Sequence, residues 1–140
     1  MKSLALALLL SLPVLPACST GQAESSDEDW RISPADLQPS QEARAFLRSE
    51  DGSVWSEDFA QEELSELIDQ LYNAGAKSVV FAGIEEIDYV RVSAWLVAEL
   101  PATDPARSEV FGAYDAWFTE AGHVSETADE GQLYLDLPLD

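Results

Sequence analysis

Hydrophobic and polar residues alternate most regularly from Tyr89 to Leu100. There Val90, Val92, Ala94, Leu96, Ala98 and Leu100 are separated by Tyr89, Arg91, Ser93, Trp95, Val97 and Glu99. A period of two marks a strand with one face buried and one open. The run from Ser78 to Ile84 is apolar almost throughout and predicts a second strand partly covered on both faces. Glu85, Glu86 and Asp88 lie between the two runs and predict a polar turn, with Ile87 folded back onto the core.

Two amphipathic helices flank this hairpin. Leu64, Leu67, Ile68 and Leu71 fall at i, i+3, i+4 and i+7, which is one apolar stripe, so a helix is predicted over Asp58 to Ala74. Asp58 with Gln61 would cap it, and Gly75 would end it in the left-handed conformation. A second helix is predicted from Asp104-Pro105, with Val110, Phe111, Tyr114, Trp117, Phe118 and Ala121 inward and Gly122 as its stop. His123, two residues beyond, suits a helix C-terminus, where a cation is favoured.

The remaining segments are short. Leu133, Leu135, Leu137 and Leu139 alternate with Tyr134, Asp136 and Pro138 and predict a last strand, with Pro138 near its end or at an edge. Gln41 to Ser49 fits either a helix capped by Ser40 or a strand, and the balance favours helix. Val54-Trp55 predicts a short strand over 53–56. From Val54 onward the order is strand, helix, strand, strand, helix, strand. That order predicts an α+β fold of the ferredoxin-like split βαβ type, an antiparallel sheet with two helices on one face.

The N-terminal segment has another character. Leu4 to Leu15 form an apolar run behind Lys2, too short and too soon broken by Pro13 to span a bilayer. Leu15-Pro16-Ala17-Cys18 resembles the bacterial lipoprotein signal, the lipobox, with Pro16 departing from its usual small residue. The resemblance covers Met1 to Cys18 and implies cleavage before Cys18, lipid on its thiol and acylation of the new N-terminus. Two or more acyl chains make a stable anchor where one does not. Ser19 after the cysteine implies outer-membrane sorting in a host with two membranes. Residues 1–17 are thus read as a signal peptide and 18–40 as a flexible acidic tether. About 20 flexible residues have a reach of roughly 25 Å. Trp30, Ile32 and Leu37 are the tether residues able to dock. Residues 41–140 are read as one small domain.

The chain of 140 residues carries 27 acidic and seven basic side chains, a net charge of −20. Loss of Lys2 with the signal peptide makes the mature chain one unit more negative. Such charge opposes binding to nucleic acid and to anionic head groups, and it suits solubility or a basic protein partner. Cys18 is the only cysteine, so no intrachain disulfide forms.

Candidate chemistry is sparse. Arg91, Trp95 and Tyr134 are expected on the open sheet face, with Arg44, Phe46 and Arg48 joining them if 43–48 is a strand. Arginine and aromatic side chains on one face suit an anionic or aromatic ligand or a partner's contact residues. A structural alternative has Trp95 packed across strands and Arg91 paired with a carboxylate. Burial of the face in a sheet-to-sheet dimer is a third. The clusters Glu85, Glu86, Asp88 and Glu126, Asp129, Glu130 lack the spacing of a calcium loop, and zinc has one His and one Cys to draw on, so no metal or other cofactor is expected. No nucleophile elbow, phosphate loop or dinucleotide motif is present, and an enzyme is not expected. The sequence therefore points to a membrane-anchored exported lipoprotein that binds a protein or small ligand. Its alternative is a structural or protective envelope lipoprotein, including an immunity-type inhibitor of a basic partner.

Overall fold

The computed structural model describes residues 37–125 and 127–139. They form a mixed, curled α+β arrangement. In order these are β1 (Gln41–Glu42), α1 (Ala43–Arg48), β2 (Gly52–Ser53), α2 (Gln61–Ala74), β3 (Ser78–Ile87), β4 (Val90–Glu99), α3 (Ala106–Glu120) and β5 (Tyr134–Pro138). The β3–β4 hairpin is the spine. β1 pairs antiparallel with the outer edge of β3. The outer edge of β4 is shared: β2 runs parallel to it at Arg91 and Val92, and β5 runs antiparallel along Trp95 to Glu99.

A ferredoxin-like split βαβ sheet is not confirmed. In that arrangement the first strand would separate β4 from the last strand. Here β2 is only two residues long, so β5 reaches β4 directly. The strand expected over 53–56 shrinks because Val54 and Trp55 leave the sheet, and Trp55 is exposed. Gly52 is required where β2 begins. A Cβ there would collide with the Phe46 carbonyl oxygen and the Ser49 hydroxyl.

The helices form largely as their patterns dictate. Leu64, Leu67, Ile68 and Leu71 of α2 are all buried, each worth about 1.5–3 kcal/mol relative to exposure. Gly75 ends α2 at φ +114, and the Ala76 N–H returns to the Leu71 carbonyl at 3.0 Å, as a left-handed C-cap does. The expected Asp58 cap is not used. α2 starts at Gln61, and the Glu63 carboxylate reaches back to the Ala60 N–H at 2.9 Å. Asp58 and Phe59 instead donate their N–H groups to the Ser56 hydroxyl. In α3, Asp104 accepts from the Ser108 N–H at 3.0 Å, and Trp117 Nε1 donates to the Glu63 carbonyl at 3.1 Å, tying α3 to the first turn of α2. Residues 43–48 are helical, and the cap is Glu42 rather than Ser40: its carboxylate takes the N–H groups of Arg44 and Ala45.

The core lies between the sheet and the three helices. It joins Phe46, the α2 stripe, Val110, Phe111, Tyr114 and Trp117 to Val79, Phe81, Ile84, Leu96, Ala98 and the leucines 135, 137 and 139. Phe46 and Phe81 stack with centroids 4.8 Å apart. Along β3 the core positions run Val79, Phe81 and then Ile84, so alternation slips by one at Gly83, whose φ is +62. The Ser93 hydroxyl fills the gap in the ladder, lying 2.8 Å from the Ala82 carbonyl and 2.9 Å from that of Trp95.

Three expectations shift at the margins. Glu85 and Glu86 belong to β3, and the turn is Asp88-Tyr89 alone. Ile87 is exposed beside it instead of folding onto the core. Residues 37–40, assigned to the tether, already join the sheet, since the Gly83 and Ile84 N–H groups donate to the Leu37 and Pro39 carbonyls at 2.9 and 3.1 Å. The proposed signal peptide, Cys18, Trp30 and Ile32 lie outside the described residues.

Candidate functional site

Arg91, Trp95 and Tyr134 do not come together. Arg91 and Trp95 are four residues apart on β4, about 13 Å along a strand. The slip at Gly83 lies between their levels in the sheet, and Arg91 turns toward α1. Its Nε and Nη2 hold Asp51 at 2.8 and 3.0 Å, Nη1 donates to Gln41 Oε1 at 2.6 Å, and Nη2 also donates to Ser49 Oγ. The guanidinium carbon sits 5.5 Å from the Phe46 ring centre. Arg91 thus fastens the α1–β2 segment to β4, the structural alternative foreseen for it. Trp95, half-buried, lies opposite Ala82 and Pro138, whereas Tyr134 lies opposite Glu99. Ala82 and Val97, neighbours of Trp95 in the sheet, are themselves buried. Arg44, on α1, pairs with Asp69 and stacks 4.4 Å over the Tyr72 ring.

Among the described residues no three His, Cys, Asp or Glu side chains stand close enough to hold an ion. Glu126 lies outside the described residues. Asp129 is engaged by Arg107, whose guanidinium also donates to the Pro101 and Gln132 carbonyls. The Arg107 hydrogen bonds, then the Gly131 N–H, hold the Asp129 carboxyl below its usual range.

Among the described residues, a cleft of about 460 Å³ opens between the C-terminal half of α3, the loop after it and β5. Tyr114 and Phe118, one turn apart on α3, supply its rings, and Phe59 enters from the segment before α2. Tyr114 and Phe118 are 4.7 Å apart between centroids, and Phe59 and Phe118 are 6.0 Å apart edge to face. His123 is exposed just past the helix terminus, with its ring resting against the aromatic cluster. Gly122 turns the chain at φ +83, the His123 N–H caps the Phe118 carbonyl at 2.8 Å, and the imidazole packs 5.4 Å from Phe59. The Ser125 hydroxyl donates to Asp115 and fixes the loop to α3.

Asp136 is the polar end of this cleft. It lies on β5 between buried Leu135 and Leu137, half-buried and opposite Val97. Burial pushes its carboxyl above the usual aspartate value, and only its own backbone N–H pulls the other way. Among the described residues it has no cationic partner. Arg44, Lys77, Arg91 and Arg107 are each paired with a carboxylate elsewhere. Among the described residues no lysine or arginine lines the cleft, and Asp58 adds a second carboxylate to its lining. Tyr114 is buried beside it. Burial first, then the charges of Asp136 and Asp115, push the phenol well above its ordinary range, while Thr127 opposes them, so Tyr114 is a neutral hydroxyl throughout the working pH range.

These residues were not singled out by sequence, because they come from three distant segments. The available signal was Asp136, a lone acid inside an alternating leucine strand, and the Tyr114–Phe118 spacing. Comparison with family models, with curated proteins and with solved structures finds no match.

Proposed function

We propose that the chain is an exported lipoprotein, held at a membrane by lipid on Cys18, whose α+β domain is a small binding module with the α3–β5 cleft as its site. The observation that carries the binding reading is Asp136: a half-buried carboxylate without a cation, set among three aromatic rings in a cleft of ligand size. Burying charge without a partner costs stability, and such a cost is commonly met at sites of function. The anchor reading draws on the Leu15-Pro16-Ala17-Cys18 sequence. No helix among the described residues is long and apolar enough to cross a membrane. The split βαβ kinship is likewise a proposal, supported by the order of β2, α2, β3, β4, α3 and β5 and by the parallel β2–β4 pairing.

Two measurements test the reading. Mass spectrometry of the mature N-terminus should find an acylated Cys18, and Cys18→Ser should release the chain from membranes. Small aromatic probes screened by NMR against the full chain should perturb Tyr114, Thr127 and Asp136. An unmodified Cys18 overturns the anchor, and an unperturbed cleft overturns the binding site.

A second reading, a protective protein that blocks a basic partner, rests on the β3–β4 tip. There Tyr89 is 90% exposed beside Glu85, Glu86 and Asp88, all exposed.

A further inference from the structure

The cleft is asymmetric in charge. Its described lining residues offer the carboxylates of Asp58 and Asp136, the rings of Phe59, Tyr114 and Phe118, and no lysine or arginine. Ring faces carry negative potential and attract cations, most strongly where water is excluded. A carboxylate already half stripped of water gains more from a cation than one in bulk solvent. The four ion-paired cations of the described domain are committed elsewhere, two of them by two-pronged contacts to Asp51 and Asp129. Among the described residues no cation neutralises Asp136, and the net charge of −20 raises the local concentration of cations around it. An anion, by contrast, would meet two carboxylates.

We infer that the cleft takes a small organic cation, an ammonium group carried on an apolar or aromatic body. The ammonium would meet Asp136 and the body would lie against Phe118 and Phe59. This rests on the cleft being the binding site, and it adds the chemical class of the ligand. The Tyr114 hydroxyl is a neutral group of the lining, able to accept from an ammonium N–H. The cleft volume of about 460 Å³ lies in the range of small-molecule sites.

The test uses three probes of one shape on the full chain in detergent micelles: phenethylammonium, phenethyl alcohol and phenylacetate. Backbone and side-chain NMR shifts of Tyr114, His123, Thr127 and Asp136 report occupancy. The expected result is saturable binding of phenethylammonium, with phenethyl alcohol weaker by about tenfold or more, the size of one charge-assisted contact. Phenylacetate should not saturate. Asp136→Asn, close to isosteric, should weaken phenethylammonium about tenfold and leave phenethyl alcohol unchanged, with spectra away from the cleft unaltered. Asp58→Asn provides a second variant outside the sheet. Equal binding of the alcohol or the carboxylate at these resonances overturns the cationic assignment and leaves the cleft as a binding site. Failure of all three probes to move them, in a folded protein, overturns both.

Discussion

Arg91 and Asp51 meet through two guanidinium nitrogens, with Nε 2.8 Å from Oδ2 and Nη2 3.0 Å from Oδ1, and the Arg91 N–H donates to the Asp51 carbonyl at 2.7 Å. One residue of β4 thereby holds the whole turn leading into β2. Its side chain also covers Phe46 and bonds Gln41 and Ser49. Arg91→Ala should cost about 1–3 kcal/mol, after discounting the solvent-screened Asp51 contact, because it removes charge-assisted bonds and packing together. Arg91→Lys should recover little, since an ammonium cannot replace the fork. Urea unfolding of the two variants checks both; a wild-type midpoint for Lys would count against the two-pronged role.

Gly52→Ala attacks the same junction from the backbone. A methyl group there would meet the Phe46 carbonyl oxygen and the Ser49 hydroxyl, and the carbonyl cannot rotate aside. The expected loss is about 1–3 kcal/mol. Amide exchange should show Arg91 and Val92, the β4 partners of β2, opening before the rest of the hairpin. Uniform protection would mean that the clash is absorbed elsewhere.

How far the sequence reveals the fold depends on where the information sits. The α2 stripe and Gly75 are legible because a helix face and its left-handed stop are local properties. β4 is legible because alternation over twelve residues is hard to produce otherwise. β2 is not, since its two residues are held by Arg91 and by room made at Gly52 rather than by their own side chains. Glu85 and Glu86 suit an exposed strand end as well as a turn, so their chemistry does not locate the bend. Arg91 and Trp95 share parity in sequence, and the slip at Gly83 makes parity a poor guide to the face each side chain occupies. The cleft is hardest to foresee, because Phe59, Tyr114 and Asp136 meet through tertiary packing alone.

The hairpin turn carries its own cost. Asp88 and Tyr89 have φ of +51 and +70, as a two-residue primed turn requires, and neither is glycine. A left-handed conformation costs a residue such as Tyr roughly 1–2 kcal/mol. Replacement by Asn-Gly, Asp88→Asn with Tyr89→Gly, should therefore stabilise the protein by about 1 kcal/mol. A higher urea midpoint with an unchanged slope is the expected result. An unchanged midpoint would show that the strain is relieved in solution.

Acid should loosen the loop behind α3 first. Asp129 lies below its usual value of 3.8 because Arg107 and the Gly131 N–H favour its charged form. A carboxyl depressed in the fold contributes stability that is present above the unfolded value and is lost as pH falls toward the folded one. Below about pH 3.8 the Arg107 contact should weaken, and residues 127–133 should exchange their amides faster than α2 or β3. Asp129→Asn should show the faster exchange already at neutral pH. If acid speeds exchange equally in both proteins, another carboxyl is responsible.

Asp136 should behave in the opposite sense. Its carboxyl is raised by burial, so the folded state holds its proton more tightly than the unfolded state. Its contribution therefore opposes folding once the group is charged, and the penalty is relieved as pH falls through the raised value. Asp136→Asn removes that penalty and should raise stability near neutral pH. The same change should weaken phenethylammonium, because the charge that costs stability is the one that attracts the cation. Among the described residues, Tyr114 and Asp115 on α3, His123 on the loop and Asp58 before α2 are the other titratable groups around the cleft. His123→Gln separates the imidazole from the effect. In wild type the cation should bind more weakly as acid protonates Asp136, beginning above the ordinary aspartate value of 3.8, and binding should release protons there. Thermal unfolding and cation titration of Asp136→Asn at neutral pH decide the point. A variant both less stable and unchanged in affinity would mean that Asp136 serves the fold rather than a ligand.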